Sequence, residues 1–364
     1  MPSDAARKPR LAVVLFNLGG PDRPEAIRPF LVNLFTDPAI LRVPFFVRPL
    51  LARIIALARV KPATENYALL GGKSPLLELT RAQAEALETA LGEFDVRCFV
   101  AMRYWHPLSD ETARAVRDWG PDEVVLLPLY PQFSTTTTGS SRAAWDRAAS
   151  KAGLVAPTTT VCCYHSHPGF SAATAALVQG AYDKARAELP PEVPLRVLFS
   201  AHGLPESIVK AGDPYQWQVE QTVARVVDRL VIDKLDHVVC YQSRVTPQKW
   251  IGPSTEDELE RAGHDKVAVL VVPIAFTSEH SETLVELDVE YREEAEKLGV
   301  PGYFRSPAQN SDPAFIAALA GLVRHARASD RVLCSFAGPR QCPKAFGDCS
   351  HARFPSRLKA RVKA

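Results

Sequence analysis

The chain has 364 residues, 46% hydrophobic and 23% charged, with 43 Lys and Arg against 41 Asp and Glu. That length suggests two or three domains of roughly 100–200 residues, and the composition excludes a disordered chain, a coiled coil and a collagen. A net charge of +2 gives no reason to expect nucleic acid as a partner, and 30 prolines argue against a long all-helical protein, because proline breaks helix interiors.

The start, MPSDAARKPR, is polar and runs straight into LAVVLFNL (11–18), the first predicted strand. No apolar stretch with a cleavage site precedes it, so no signal peptide is expected. No run of about 18 uncharged apolar residues occurs, so no membrane-spanning helix is expected either. The loop NLGGP (17–21) suits an anion cradle or simply a tight turn, and it lacks the full G-x-G-x-x-G pattern. Next comes RVPFFVRPLLARIIALARV (42–60), apolar but dotted with Arg42, Arg48, Arg53 and Arg59. After Pro49, the residues Leu50, Leu51, Ile54, Ile55 and Leu57 suit an apolar helix face with basic edges. That pattern fits an interfacial segment or the lip of an apolar-ligand pocket; the plainer reading is a core-packing helix.

A helix is predicted over 75–91, with Ser74 as its N-cap and Pro75 at the first helical position. Strands follow at 123–130, 195–202, 237–243 and 267–276. Helices are predicted over 213–230, with Val219, Val223, Val226, Val227 and Leu230 apolar, and over 283–298, with Leu284, Leu287, Tyr291 and Leu298. The strands are Val- and Leu-rich without alternation, as expected of parallel strands covered on both faces. Strands alternating with helices predict an α/β fold.

Three pairs of segments repeat in the same order: VLFNLGGP with VLFSAHGLP, AMRYWHP with YQSRVTP, and LLPLYPQFS with VVPIAFTS. Three matches in order predict two similar doubly wound domains, about 9–165 and 190–327, followed by a cysteine-bearing tail, 328–364. Loops at the carboxyl ends of their strands would face each other across a ligand cleft.

His202 ends a predicted strand within SAHGLP. Near neutral pH it can accept a proton or bind a metal; the plainer reading is a structural histidine. The matching position near Leu18 is not ionisable, which places the chemistry in one domain. After the last strand of the second half, Glu282, Glu286, Glu290 and Glu293 recur at helical spacing and so share one face, with Glu279 and His280 just before them. From Glu290 onward a solvated acidic face is the preferred reading. Imidazole and carboxylates facing His202 suit protons or a first-row metal such as Fe(II) or Zn(II).

Seven cysteines are too few and too odd in number for a disulfide scaffold, which favours a reducing, cytoplasmic setting. Cys334, Cys342 and Cys349 in the tail, with either Cys162 or Cys163, would supply the four thiolates of an iron–sulfur cluster; free thiols are the alternative. A reading from a different class is a nucleotide- or sugar-phosphate-binding protein, with STTTTGSS as its anion loop.

The motifs VLFNLGGP (14–21), GGKSPL (71–76), MRYWHP (102–107), YPQFSTTTTGSS (130–141), FSAHGLP (199–205), GDPY (212–215), YQSRVTPQKWIGP (241–253) and PIAFTSEHSETLVELD (273–288) resemble those of ferrochelatases, enzymes that insert ferrous iron into a porphyrin. The resemblance implies two Rossmann-like domains, each a four-stranded parallel sheet flanked by helices, with the active-site cleft between them. It implies protoporphyrin as substrate in heme biosynthesis, with coproporphyrin as the alternative. It implies His202 and Glu282 as catalytic Fe(II) ligands on opposite sides of the porphyrin, and Glu279, His280 and Glu286 as a metal relay behind Glu282. Leu18, Arg103, Tyr104, Ser243, Trp250 and Phe276 match porphyrin-pocket residues. Segment 42–60 matches an apolar lip that gives part of the family peripheral membrane contact, here on the inner face. A [2Fe–2S] cluster is present in some members; Thr135 stands where animal members have the upstream ligand, so Cys162 or Cys163 would replace it.

Overall fold

The computed structural model describes residues 7–243, 248–329, 333–336, 338 and 340–350; Arg244 to Pro247 of the YQSRVTP motif, and 351–364 of the expected tail, lie outside the described residues. The Val- and Leu-rich runs form two parallel sheets. In the first half β1 (Arg10–Asn17), β2 (Asp95–Met102), β3 (Glu123–Pro128) and β4 (Thr158–Val161) lie in the order β2-β1-β3-β4. In the second half β5 (Leu195–His202), β6 (Asp236–Gln242), β7 (Ala268–Pro273) and β8 (Tyr303–Arg305) repeat that order as β6-β5-β7-β8. Two doubly wound parallel sheets were expected from the repeat, and they are present. The first sheet carries one strand more than the expected four: β9 (Leu333–Cys334) from the tail pairs with β4. The physical reason is the open edge of β4, whose free backbone groups accept a further strand.

The crossovers supply α1 (Ile27–Thr36), α2 (Arg48–Ala68), α3 (Leu76–Ala90), α4 (Ser109–Trp119), α5 (Thr138–Ala152), α6 (Pro168–Glu188), α7 (Glu206–Lys210), α8 (Tyr215–Val227), α9 (Thr255–Asp265), α10 (Tyr291–Lys297) and α11 (Pro313–Ala328). Helix α8 begins two residues later than expected because Asp213 is occupied elsewhere: its carboxylate accepts from the Tyr215 amide at 3.0 Å and from Thr135 at 2.7 Å. The helix expected over 283–298 is not uniform. It is a π-helix over Glu282–Glu290 that becomes α-helical at α10. Such wide turns are rare and concentrate at functional sites.

Two helices tie the halves together. The start of α6 packs Phe170 and Ala173 into the core under the first sheet, and its later turns pack Val178 and Ala185 under the second. Helix α11 falls within the expected second domain, 190–327, yet its Phe315, Ile316, Leu319, Leu322 and Val323 pack with Leu11, Val13 and Leu15 of β1. An amphipathic helix settles on the apolar sheet face left open to it, and here that face belongs to the first half.

Candidate active site

Strand β5 ends at His202, and the chain turns at once through Gly203. A Cβ there would stand 2.9 Å from the Gln242 carbonyl and 3.2 Å from the Trp250 ring, so only glycine fits. The turn aims the imidazole at the first residue of the π-helix. His202 Nδ1 lies 3.0 Å from Glu282 Oε2, and His280 Nε2 lies 3.7 Å from the same oxygen, so the pair expected to flank the porphyrin from opposite sides is here in direct contact, with no room for a ring between the two groups. Burial would raise Glu282, but the charge and hydrogen bond of His202, with His280, hold it well below the usual carboxylate range. Burial works against a charged His202, yet Glu282 and then Glu286 outweigh it and raise the imidazole above its ordinary value. An ionised carboxylate only accepts, so Nδ1 carries the proton and Nε2 keeps a lone pair for a proton or a metal.

Glu286 stands one turn behind. Its Oε2 accepts from Ser243 Oγ at 2.6 Å and from Gln242 Nε2 at 3.1 Å. Burial and the adjacent Glu282 charge raise its pKa. The Tyr291 hydroxyl lies 3.1 Å from Glu286 Oε1 and 3.0 Å from Oε1 of exposed Glu256. The remaining acids of the expected ladder do not join this group. Glu290 accepts from Asn66 Nδ2 at 3.2 Å and Glu293 is exposed. Glu279 is turned away: its Oε1 accepts from Arg305 Nη1 and from the Ala308 amide, both at 2.9 Å.

The expected porphyrin residues divide. Leu18, Trp250 and Phe276 are half-buried: Leu18 lies in the apolar cluster with Tyr67 and Trp105, Trp250 against Gly203 beside His202, and Phe276 with its ring centroid 4.7 Å from that of His280. Ser243, at φ +66°, is committed to Glu286. Arg103 and Tyr104 are committed to Asp37. Oδ2 of that buried carboxylate accepts from Arg103 Nη2 at 2.7 Å, from the Tyr104 hydroxyl at 2.8 Å and from Ser140 Oγ. Tyr104 is fully buried and offers no surface to a ligand in this structure.

The second half thus presents a paired imidazole and carboxylate at the end of its central strand β5. The family model for ferrochelatase matches residues 10–327. A ferrochelatase of Caulobacter vibrioides is 54% identical over 86% of this chain and 90% of its own length. One of Phenylobacterium zucineum is 52% identical over 94% of this chain and 98% of its own. The chain belongs to the ferrochelatase family. It is therefore a ferro-lyase acting on porphyrin and ferrous iron. Among solved structures, SirB from Bacillus subtilis with Fe3+ shares the fold at a TM-score of 0.50, with 13% identity, 87% of this chain and 95% of that one covered.

Segment 42–60 packs one side into a core, with Ala56 and Val60 in the cluster around Phe30 and Tyr104, and leaves apolar side chains outward. Phe45 and Phe46 are 78% and 71% exposed, and Leu50, Ile54 and Leu57 are each more than half exposed, while Ala52 and Ala56 pack inward. The last turn of α2 reaches the π-helix: Tyr67, whose hydroxyl is pushed by burial to about 12, hydrogen-bonds Ser281. Among the described residues no helix is long and apolar enough to cross a membrane.

The expected cluster cysteines collect in one buried place. The Sγ atoms of Cys162 and Cys163 are 3.4 Å apart, and fully buried Gln218 donates to Cys342 Sγ at 3.1 Å and to Cys163 Sγ at 3.7 Å. A hydrogen bond with Cys349 and then burial raise the Cys342 thiol; burial, then Cys163, Cys349 and Cys334, raise Cys162. All five are buried. Among the described residues no three His, Cys, Asp or Glu side chains are gathered as a metal site.

Sequence reasoning missed Asp37, Tyr67, Gln218, Gln242 and Arg305. Gln242 had a signal, since it stands one residue before the end of a predicted strand, 237–243. Asp37 had a weaker one, an acid before proline in the turn that leads into the lip.

Proposed function

We propose that this chain inserts Fe(II) into protoporphyrin IX, releasing two protons and giving protoheme, with His202 and Glu282 as the central pair. The observation that carries the assignment of roles is the 3.0 Å approach of His202 to Glu282 at the carboxyl end of β5, where open α/β sheets present their ligand sites. A porphyrin is a flat apolar disc, and Leu18, Trp250 and Phe276 offer apolar surface for it beside the pair. His202 Nε2 accepts a pyrrole proton. Glu282 and His202 replace waters of hydrated Fe(II) with a carboxylate and an imidazole, ligands suited to that metal. Glu286, raised in pKa, takes protons onward, and Tyr291 links it to Glu256 at the surface. His280 supports Glu282. The porphyrin reading is favoured over a phosphate-binding one because the STTTTGSS loop already holds an anion of its own: Ser134 and Thr135 donate to Asp213 at 3.0 and 2.7 Å.

The exposed apolar lip supports peripheral contact with the inner face of the membrane by an otherwise cytoplasmic protein. Four of the five buried thiols, Cys334, Cys342, Cys349 and one of Cys162 and Cys163, supply the donor type and number of a [2Fe–2S] cluster. When bound, such a cluster would supply redox-active iron and a covalent tie between tail and body.

Anaerobic Fe(II) insertion followed by the Soret shift, with protoporphyrin and coproporphyrin side by side, tests the substrate. Preference for coproporphyrin would overturn it. Iron and sulfide assays with EPR of the reduced protein test the cluster; protein purified anaerobically with neither iron nor sulfide would refute it.

A further inference from the structure

The carboxylates that face His202 stand on a π-helix, and backbone bonding alone does not decide how that helix sits on the sheet. Its seating comes from β8, the three-residue strand at the edge of the second sheet. Arg305, the last residue of β8, reaches both flanks of the π-helix. Its Nε and Nη2 donate in a fork to Asp288 Oδ1 at 2.6 Å and Oδ2 at 2.8 Å. Its Nη1 donates to Glu279 Oε1 at 2.9 Å. The guanidinium and the Glu279 carboxylate are nearly buried, at 11% and 12% exposed, so solvent screens this link weakly. The same strand adds a second clasp: the Tyr303 hydroxyl donates to the Leu287 carbonyl at 2.6 Å, and Arg292 Nη1 returns to the Tyr303 carbonyl at 3.0 Å.

Glu279 lies three residues before Glu282, and Asp288 lies two residues after Glu286. One side chain thus grips the segment on either side of the two carboxylates presented to His202. A planar guanidinium fixes direction as well as distance, because its donors are rigid and its carboxylate pairing is bidentate. We propose that Arg305 is a positioning residue for iron insertion, setting where Glu282 and Glu286 stand against His202, and that Glu279 serves as its anchor instead of handling metal. The proposal rests on the roles given above to Glu282 and Glu286. Arg305 itself touches neither of them.

The test compares Arg305→Leu, Arg305→Lys, Asp288→Asn and Glu282→Gln in the full chain. Iron KM and kcat are measured anaerobically, porphyrin Kd by fluorescence quenching, and the folded fraction by thermal melting. A misplacement of about 1 Å can cost about a hundredfold in rate. Arg305→Leu is therefore expected to raise the iron KM and lower kcat, each by about tenfold or more, with porphyrin Kd within about threefold. Arg305→Lys restores charge without the fork and is expected to fall between Leu and the parent. Asp288→Asn leaves Arg305 paired with Glu279 and is expected to shift iron KM in the same direction by less, which serves if Arg305→Leu does not fold. A folded Arg305→Leu protein with parental iron KM and kcat would overturn the proposal. So would a fall in kcat that only tracks the folded fraction with iron KM unchanged. If Glu282→Gln also keeps parental kinetics, the site assignment fails together with the proposal; if Glu282→Gln collapses activity while Arg305 and Asp288 variants do not, only the positioning role fails.

Discussion

The two halves share one strand order, yet they treat charge in opposite ways. At the end of β1, Asn17 closes on its own surroundings, donating to Thr80 Oγ1 at 3.0 Å and accepting from the Leu18 amide at 2.8 Å. The nearby Arg103 is consumed by the buried Asp37. At the end of β5, His202 and Glu282 are left 36% and 26% exposed, paired with each other and open to solvent. A duplicated fold gives two equivalent strand ends. Only one has ionisable groups that a ligand can still reach, while the other spends its polar groups on holding its wall together.

The sharpest way to break this comparison is His202→Ala. Loss of a general base costs on the order of 10²–10⁴ in rate, and loss of a metal ligand as well places the expected effect at or above the upper end. Fluorescence quenching should show porphyrin binding within about tenfold of the parent, since apolar contacts supply most of the affinity. A variant that folds, binds porphyrin and inserts iron within a few-fold would end the asymmetry.

Glu282→Gln comes next, with an expected loss of about a hundredfold or more in kcat/KM, and Glu290→Gln should leave it unchanged. The pH profile gives the sign of the electrostatics. The base must be neutral to accept a proton, and Glu282 raises the His202 pKa. Activity should therefore fall as pH drops through a value above the ordinary histidine pKa of about 6.5. In Glu282→Gln the residual activity should keep its acid limb at a lower pH. A limb that stays put would separate the profile from His202.

In the first half the expected loss is of stability, not chemistry. Asp37→Ala strands the nearly buried Arg103 guanidinium, and breaking such a pair costs about 3–5 kcal/mol. Denaturant melts should show that loss while kcat of the folded fraction holds within about threefold, well short of a catalytic loss. The smallest effect on chemistry is expected at the lip. Leu50→Asp with Ile54→Asp should abolish co-sedimentation with anionic vesicles yet leave insertion into detergent-dispersed porphyrin unchanged.

Much of this asymmetry was legible in the sequence because it rests on local pattern. The five apolar runs are long enough to declare buried strands, and the repeated motifs fix the order of the halves. His202 stood out as an ionisable group where its counterpart had none. The missing parts depend on contacts distant in sequence. Strands β4 and β8, reading TTTV and YFR, are too short to carry a hydrophobic period. The π-helix leaves no separate mark, since acids spaced by four suit an α-helix equally. Glu279 looked like a member of the acidic ladder because its partner, Arg305, lies 26 residues further on. Arg103 looked available to a porphyrin because Asp37 lies 66 residues away, in a turn.

The return of α11 to the first sheet bears on the order in which the molecule can be completed. A chain leaving the ribosome exposes its N-terminal half first, and domains generally fold as they emerge. Here the layer that covers Leu11, Val13 and Leu15 includes Phe315, Leu319 and Val323, which are synthesised after every strand of the second sheet. The second half can therefore close while the first still has an apolar face uncovered. The earliest part of the chain to be made is the last to be finished, and a fragment cut between the two sheets would lack a piece of its own interior.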